Sequence, residues 1–108
     1  MLLNDAAITT ILFDVDGTLI DSVDGHAQAW TETLQPGDTD VSVEAVRRQI
    51  GKGGDQLLPV FLTHKEIERV GDELEAYRGR LFKQRYLPHL KAFPKVRALF
   101  ERLIADGK

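Results

Sequence analysis

Apolar positions along the chain change their period as it runs. From Ala7 to Val15 it reads AITTILFDV, a short apolar run rich in β-branched residues, followed by the turn chemistry of Asp16-Gly17-Thr18. That pattern predicts a buried strand. Asp21 or Ser22 can then cap a helix whose Val23, Ala27, Trp30 and Leu34 share one face. Gln35 to Asp40 is a turn-rich connection, and Ser42 can cap a short helix with Val43, Val46 and Ile50 on one side. Gly51-Lys52-Gly53-Gly54 interrupts that pattern before a helical spacing resumes over Asp55 to Leu62. Thr63 and Glu66 fit a capping box. Ile67, Val70, Leu74, Tyr77 and Leu81 then predict the longest helix, ending near Arg85. Pro88 and Pro94 force the chain out of helical geometry. Val96, Leu99, Phe100 and Leu103 predict a last amphipathic helix, with Gly107 placed to stop it.

This map holds one strand among mostly helical segments. An apolar strand wants cover on both faces and partners on both edges, and no other segment offers them. The chain also closes on a helix, where a βα unit would begin its next strand. The expected fold class is therefore α/β, with this chain predominantly α-helical and read as the opening portion of a longer protein. The competing reading is a mostly helical domain with one segment misassigned. Composition fits a folded domain: 43% of the 108 residues are hydrophobic and 29% charged. The net charge of -3 offers no electrostatic footprint for nucleic acid or an anionic membrane. The absence of cysteine excludes a cysteine-held metal site. No basic segment precedes an apolar core at the N-terminus, and no apolar run approaches the roughly 20 residues that span a bilayer. A cytoplasmic location is the expectation.

Candidate chemistry concentrates in Asp14-Val15-Asp16-Gly17-Thr18. Two carboxylates stand two residues apart at the end of the expected strand, so both can project to one side. That end is where open α/β sheets place ligands. Carboxylates so close raise each other's pKa unless a cation lies between them, and Mg2+ suits such a pair. Gly17 permits a sharp turn that exposes backbone N–H groups, and Thr18 adds a hydroxyl donor. A plain turn is the competing reading, since Asp and Gly are common turn formers. An EF-hand loop is a poorer fit, because its third ligand and closing Glu are not in place.

The string ILFDVDGTLIDS as a whole resembles the first signature motif of the haloacid dehalogenase-like hydrolases. IGKGGDQLLPVF is similar to the cap segment of that superfamily's phosphatase and β-phosphoglucomutase-like branch, and YLPHLKAFPKVRALFERLIADGK to the return from cap to core. The resemblance implies a Rossmannoid core of which residues 1–20 supply the first strand and catalytic loop. It further implies a helical cap over 21–90 and a return helix over 91–108. By the same resemblance, Asp14 is the nucleophile that forms an aspartyl-phosphate, and Asp16 the general acid/base. The Asp14 carboxylate and the Asp16 carbonyl are the Mg2+ ligands, and Gly17 and Thr18 form the phosphate-binding turn. The second aspartate implies a phosphatase or phosphomutase, not a dehalogenase. The family completes its site with a Ser or Thr, a Lys or Arg and an acidic pair, all expected beyond residue 108. The isolated chain is therefore expected to be inactive or nearly so.

Within the expected cap, Lys52, Gly53 and Gly54 are the candidate specificity loop, with Lys52 able to meet an anionic substrate group. A flexible turn with an exposed lysine explains the same residues. His26, His64 and His89 show no metal-ligand spacing, and Trp30 and Tyr77 sit on apolar helical stripes that predict core. Arg47-Arg48 and the cluster Arg78, Arg80, Lys83 and Arg85 read as solvated helix faces. The expected partner is a small phosphorylated metabolite such as phosphoglycolate or a sugar phosphate. A homodimer that completes a sheet is a further option. The alternative function is a non-catalytic, truncated helical domain that serves as an interaction module or has no function of its own.

Overall fold

A computed structural model of the chain describes residues 6–38 and 40–108. These residues divide into two compact units, one made of residues 6–21 and 91–108, the other of 22–38 and 40–90.

The second unit is built from helices joined by turns, and most of these helices follow the sequence pattern. The helix α1 spans Val23–Leu34 and buries Ala27, Trp30 and Leu34. Buried hydroxyls on this helix stay satisfied, because Thr31 Oγ1 donates to the Ala27 carbonyl and Thr33 Oγ1 to that of Ala29, both at 2.7 Å. The short α2, Val43–Arg47, starts where Ser42 Oγ accepts from the Ala45 amide at 3.1 Å. After the glycine turn comes α3, Gly54–Phe61. The long α4, His64–Leu81, begins at a complete capping box between Thr63 and Glu66. The same bonds to Thr63 hold the Glu66 carboxyl below its usual range.

These helices share one core of Ala27, Trp30, Leu34, Val41, Val46, Leu57 and Leu58, with Ile67 and Leu74 packed against it. Arg78 lays its guanidinium 5.0 Å from the Trp30 ring centroid, while its Nε is buried without a hydrogen-bond partner among the described residues. Tyr77, expected in the core beside Trp30, is instead 48% exposed. Its stripe neighbours Leu74 and Leu81 are partly buried and buried respectively, so the exposure is local to Tyr77.

The longest helix was expected to run to Arg85. It stays α-helical only to Leu81, then widens into a π-helical turn over Phe82–Tyr86 and tightens into a 3₁₀ turn over Leu87–His89. This turn fastens to α1. The His26 and Phe82 rings stack 4.0 Å apart, and Tyr86 Oη donates to Glu32 Oε1 at 2.7 Å. Arg85 Nη1 adds a 3.4 Å contact to Glu32 Oε2. Partial burial and this acidic partner push the Tyr86 hydroxyl up to about 12.

The first unit combines the N-terminal segment with α5, Val96–Ala105. That helix ends in a Schellman arrangement: Gly107 takes φ +80°, its amide bonds the Ile104 carbonyl, and the Lys108 amide bonds that of Leu103. The strand expected over Ala7–Val15 is not formed among the described residues, which contain isolated bridges but no ladder. The physical reason is the lack of a paired neighbour, since a strand exists only through bonds to another strand. Phe13 meets Phe100 of α5 edge-on at 5.5 Å, and Lys108 Nζ donates to the Ile8 carbonyl. Leu12 remains 92% exposed. No helix among the described residues is long and apolar enough to cross a membrane.

Candidate active site

The Asp14–Thr18 loop owes its shape to one carbonyl and one glycine. The Val15 carbonyl accepts from the amides of Thr18, Leu19 and Ile20 at 3.2, 2.9 and 3.1 Å. Gly17 adopts φ +73°, a left-handed conformation that a Cβ would strain, and its amide donates to the Ile20 carbonyl at 2.9 Å. The base of the turn is tied to the returning chain. Asp21 N–H bonds the Lys91 carbonyl, Phe93 N–H bonds the Leu19 carbonyl, both at 2.9 Å, and Ile20 bridges Ala92 in antiparallel fashion. Residues far apart in sequence thus set where the loop stands.

Asp14, Asp16, Gly17 and Thr18 are all exposed on this turn. Asp14 Oδ1 accepts from the Val15 amide at 2.9 Å, which orients the carboxylate locally. Sequence reasoning did not anticipate that bond, although an Asp accepting from a nearby backbone amide is a common turn device. The Gly17 and Thr18 amides both donate within the loop. What the turn presents outward is therefore carboxylate and hydroxyl chemistry, not a nest of open N–H groups. Among the described residues no group of three or more His, Cys, Asp or Glu gathers to hold a metal ion. Two carboxylates still suit Mg2+, which is commonly held by one or two of them together with water and phosphate oxygens.

The other candidate residues lie in the helical unit. Gly51 turns the chain with φ +111°, Lys52 bridges back to Ile50, and Gly53 is the N-cap of α3. Lys52 is exposed, and its Nζ donates to Gln49 Oε1 at 2.7 Å. The structure therefore places Lys52, Gly53 and Gly54 consecutively where the glycine turn enters α3, with Gly54 its first residue. Arg47, read from sequence as a surface residue, is exposed and pairs with Asp24 at 2.7 Å. His64 is an exposed partner of Glu68 at 2.9 Å.

Comparison with known proteins now bears on this loop. A family model described as haloacid dehalogenase-like hydrolase matches residues 8–108. The chain belongs to the haloacid dehalogenase-like hydrolases. It is similar to the phosphoglycolate phosphatase of Vibrio parahaemolyticus, 35% identical over 109 residues, covering 93% of this chain and 47% of that protein. The phosphoglycolate phosphatase of Aliivibrio fischeri is 36% identical over 93% of this chain and 47% of its own length. That of Yersinia pseudotuberculosis is 34% identical, with 94% and 45% covered. The chain spans about half the length of the curated relatives it matches. No solved structure matches significantly. The two-aspartate turn lies inside the matched region.

Proposed function

We propose that this chain carries the nucleophilic half of a Mg2+-dependent phosphatase that acts on a small phosphorylated metabolite of the phosphoglycolate type. The observation that carries this reading is the exposed Asp14–Asp16 pair on a turn closed by the Val15 carbonyl, within a chain of this family. In the proposed reaction Asp14 attacks phosphorus and the ester P–O bond breaks. The leaving oxygen takes the proton from the Asp16 carboxyl. Asp16, now a carboxylate, removes a proton from water, whose oxygen attacks the aspartyl-phosphate and releases inorganic phosphate and Asp14. Thr18 offers its hydroxyl to a phosphoryl oxygen. Bound Mg2+, held by Asp14 and Asp16, would neutralise charge on the transferring group.

Residues 21–90 are proposed as the helical cap that excludes water and selects substrate, with Lys52, Gly53 and Gly54 at its recognition loop. The 108-residue chain is proposed to turn over poorly, because a turn of two carboxylates holds Mg2+ weakly and offers no cationic side chain to neutralise the transferring group. The cytoplasm is the proposed place of the reaction.

The test is a thermal melt of the chain with and without Mg2+, joined to a phosphate-release assay on phosphoglycolate. A Mg2+-dependent rise in Tm that disappears in Asp14→Asn is expected, with slow or absent turnover. No Mg2+ effect would favour the non-catalytic interaction module. Fast turnover lost in Asp14→Asn would confirm the chemistry and overturn the claim of weak catalysis.

A further inference from the structure

The glycine turn ahead of α3 touches a side chain twenty-one positions further along the chain (from Gly54 to Glu75). A Cβ placed on Gly54 would stand 1.8 Å from Glu75 Oε1, 2.6 Å from its Cδ and 3.1 Å from its Cγ. The end of the Glu75 side chain therefore fills the space that any residue larger than glycine would need. Glu75 projects from α4 and is half-buried, yet it makes no hydrogen bond or ion pair among the described residues.

The other partner in this contact is the N-terminus of α3. Its N-cap, Gly53, has no side chain to accept from the first-turn amides, and no cap bond is made. The first amides of a helix lack intrahelical acceptors, and that end of the helix carries a partial positive charge. Asp55 already places one carboxylate in the first turn of α3, and Glu75 brings a second from α4 as the electrostatic substitute for the missing cap bond. Glycine at 54 is what allows the approach.

We propose that Glu75 is a positioning residue for the Lys52-Gly53-Gly54 loop: seated against Gly54, its carboxylate supplies the capping charge that the loop's own glycines lack. The consequence for recognition rests on the reading that this loop meets the substrate. The start of α3 already has its anion, so an anionic ligand is met by the Lys52 ammonium and not by the α3 amides.

A double-mutant cycle on the 108-residue chain tests this, read by amide hydrogen exchange at Gln56 and Leu57, whose N–H groups both bond the Gly53 carbonyl at 2.9 Å. Glu75→Ala should speed exchange at both amides by about fivefold, in line with the loss of one cap or helix-dipole contact. Glu75→Gln, which keeps the shape and removes the charge, should do the same. Gly54→Ala should speed exchange while Glu75 is present, because the new methyl displaces the carboxylate. In the Glu75→Ala background it should slow exchange, because alanine is then simply the better helix former. A change of the same sign in both backgrounds, or full protection in Glu75→Gln, overturns the proposal. Titration with phosphoglycolate, followed at the Lys52 amide and repeated in Lys52→Ala, tests the loop reading separately. A silent titration removes the loop from substrate recognition and leaves the exchange result for Glu75 standing.

Discussion

The helical unit of residues 22–38 and 40–90 and the unit made of 6–21 and 91–108 achieve order in different ways. In the helical unit Ala27, Val46 and Leu57 are fully buried and Trp30 is 3% exposed. In the other unit Leu103 is the one buried apolar side chain among the described residues, while Leu12 and Ile104 are 92% and 72% exposed. The first is held by a packed core. The second is held largely by backbone bonds around the Asp14–Ile20 turn and its tie to Lys91 and Phe93. The difference teaches where the candidate chemistry sits: on the unit that uses few side chains for its own packing and leaves carboxylates and a hydroxyl facing outward.

The sharpest way to break this comparison is to remove the core that defines one side of it. Leu57→Ala should destabilise the helical unit by about 2–5 kcal/mol, the range for a buried leucine that leaves a cavity. Chemical denaturation followed by far-UV circular dichroism measures it, and a loss below about 1 kcal/mol would mean the core is loosely packed. Next comes the start of α4. Thr63→Ala should cost about 1 kcal/mol by removing the capping-box hydroxyl. The variant should also lose part of its acid sensitivity. Glu66 has its carboxyl lowered mainly by the Thr63 bonds. Its contribution is present above the ordinary glutamate range and disappears as pH falls through the lowered value.

A smaller effect is expected where the π-helical turn meets α1. Tyr86→Phe should cost about 0.5–1 kcal/mol near neutrality, as for one partly exposed hydrogen bond to a charged group. The pH profile gives a cleaner signature. Tyr86 titrates near 12 in the folded chain, against an ordinary value of 10. The stabilisation is therefore complete below about pH 10 and disappears as pH rises towards 12. Melting curves across that range should show an alkaline decline in the parent chain that is shallower in Tyr86→Phe. An identical decline in both would assign it to other groups. The smallest change belongs to the open unit: Leu12→Ser should stay within about 0.5 kcal/mol. A cost comparable to that of Leu57→Ala would erase the contrast, showing that Leu12 is packed in solution.

The helices were legible in the sequence because their signals are local. Ser42 and Thr63 cap where a hydroxyl precedes an apolar period, and Gly107 terminates α5 where a residue of positive φ was expected. The Ala7–Val15 segment had an equally clear local pattern and formed no ladder, because β-branched composition expresses a preference that only a partner strand can realise. Trp30 and Tyr77 carried the same helical signal, yet one is buried and the other half-exposed. Periodicity identifies a stripe but not the extent of what covers it. The π-helical widening after Leu81 likewise had no local signature, since the bonds that accompany it run from Phe82, Arg85 and Tyr86 to α1.

By itself the sequence determined the family, the helical elements, the caps at Ser42 and Thr63 and the stop at Gly107, and the identity of the carboxylates and hydroxyl that the Asp14–Thr18 turn would carry; the hydroxyl cap expected at Ser22 makes no side-chain cap bond to α1. These depend on residue type and on spacings of a few positions, which short-range sterics and hydrogen bonding translate directly into shape. The tertiary structure alone decided which apolar stripes are covered, that the turn is tied to Lys91 and Phe93, and that Glu75 rests on Gly54. Each of those depends on groups brought together from distant parts of the chain, and no local preference encodes the meeting.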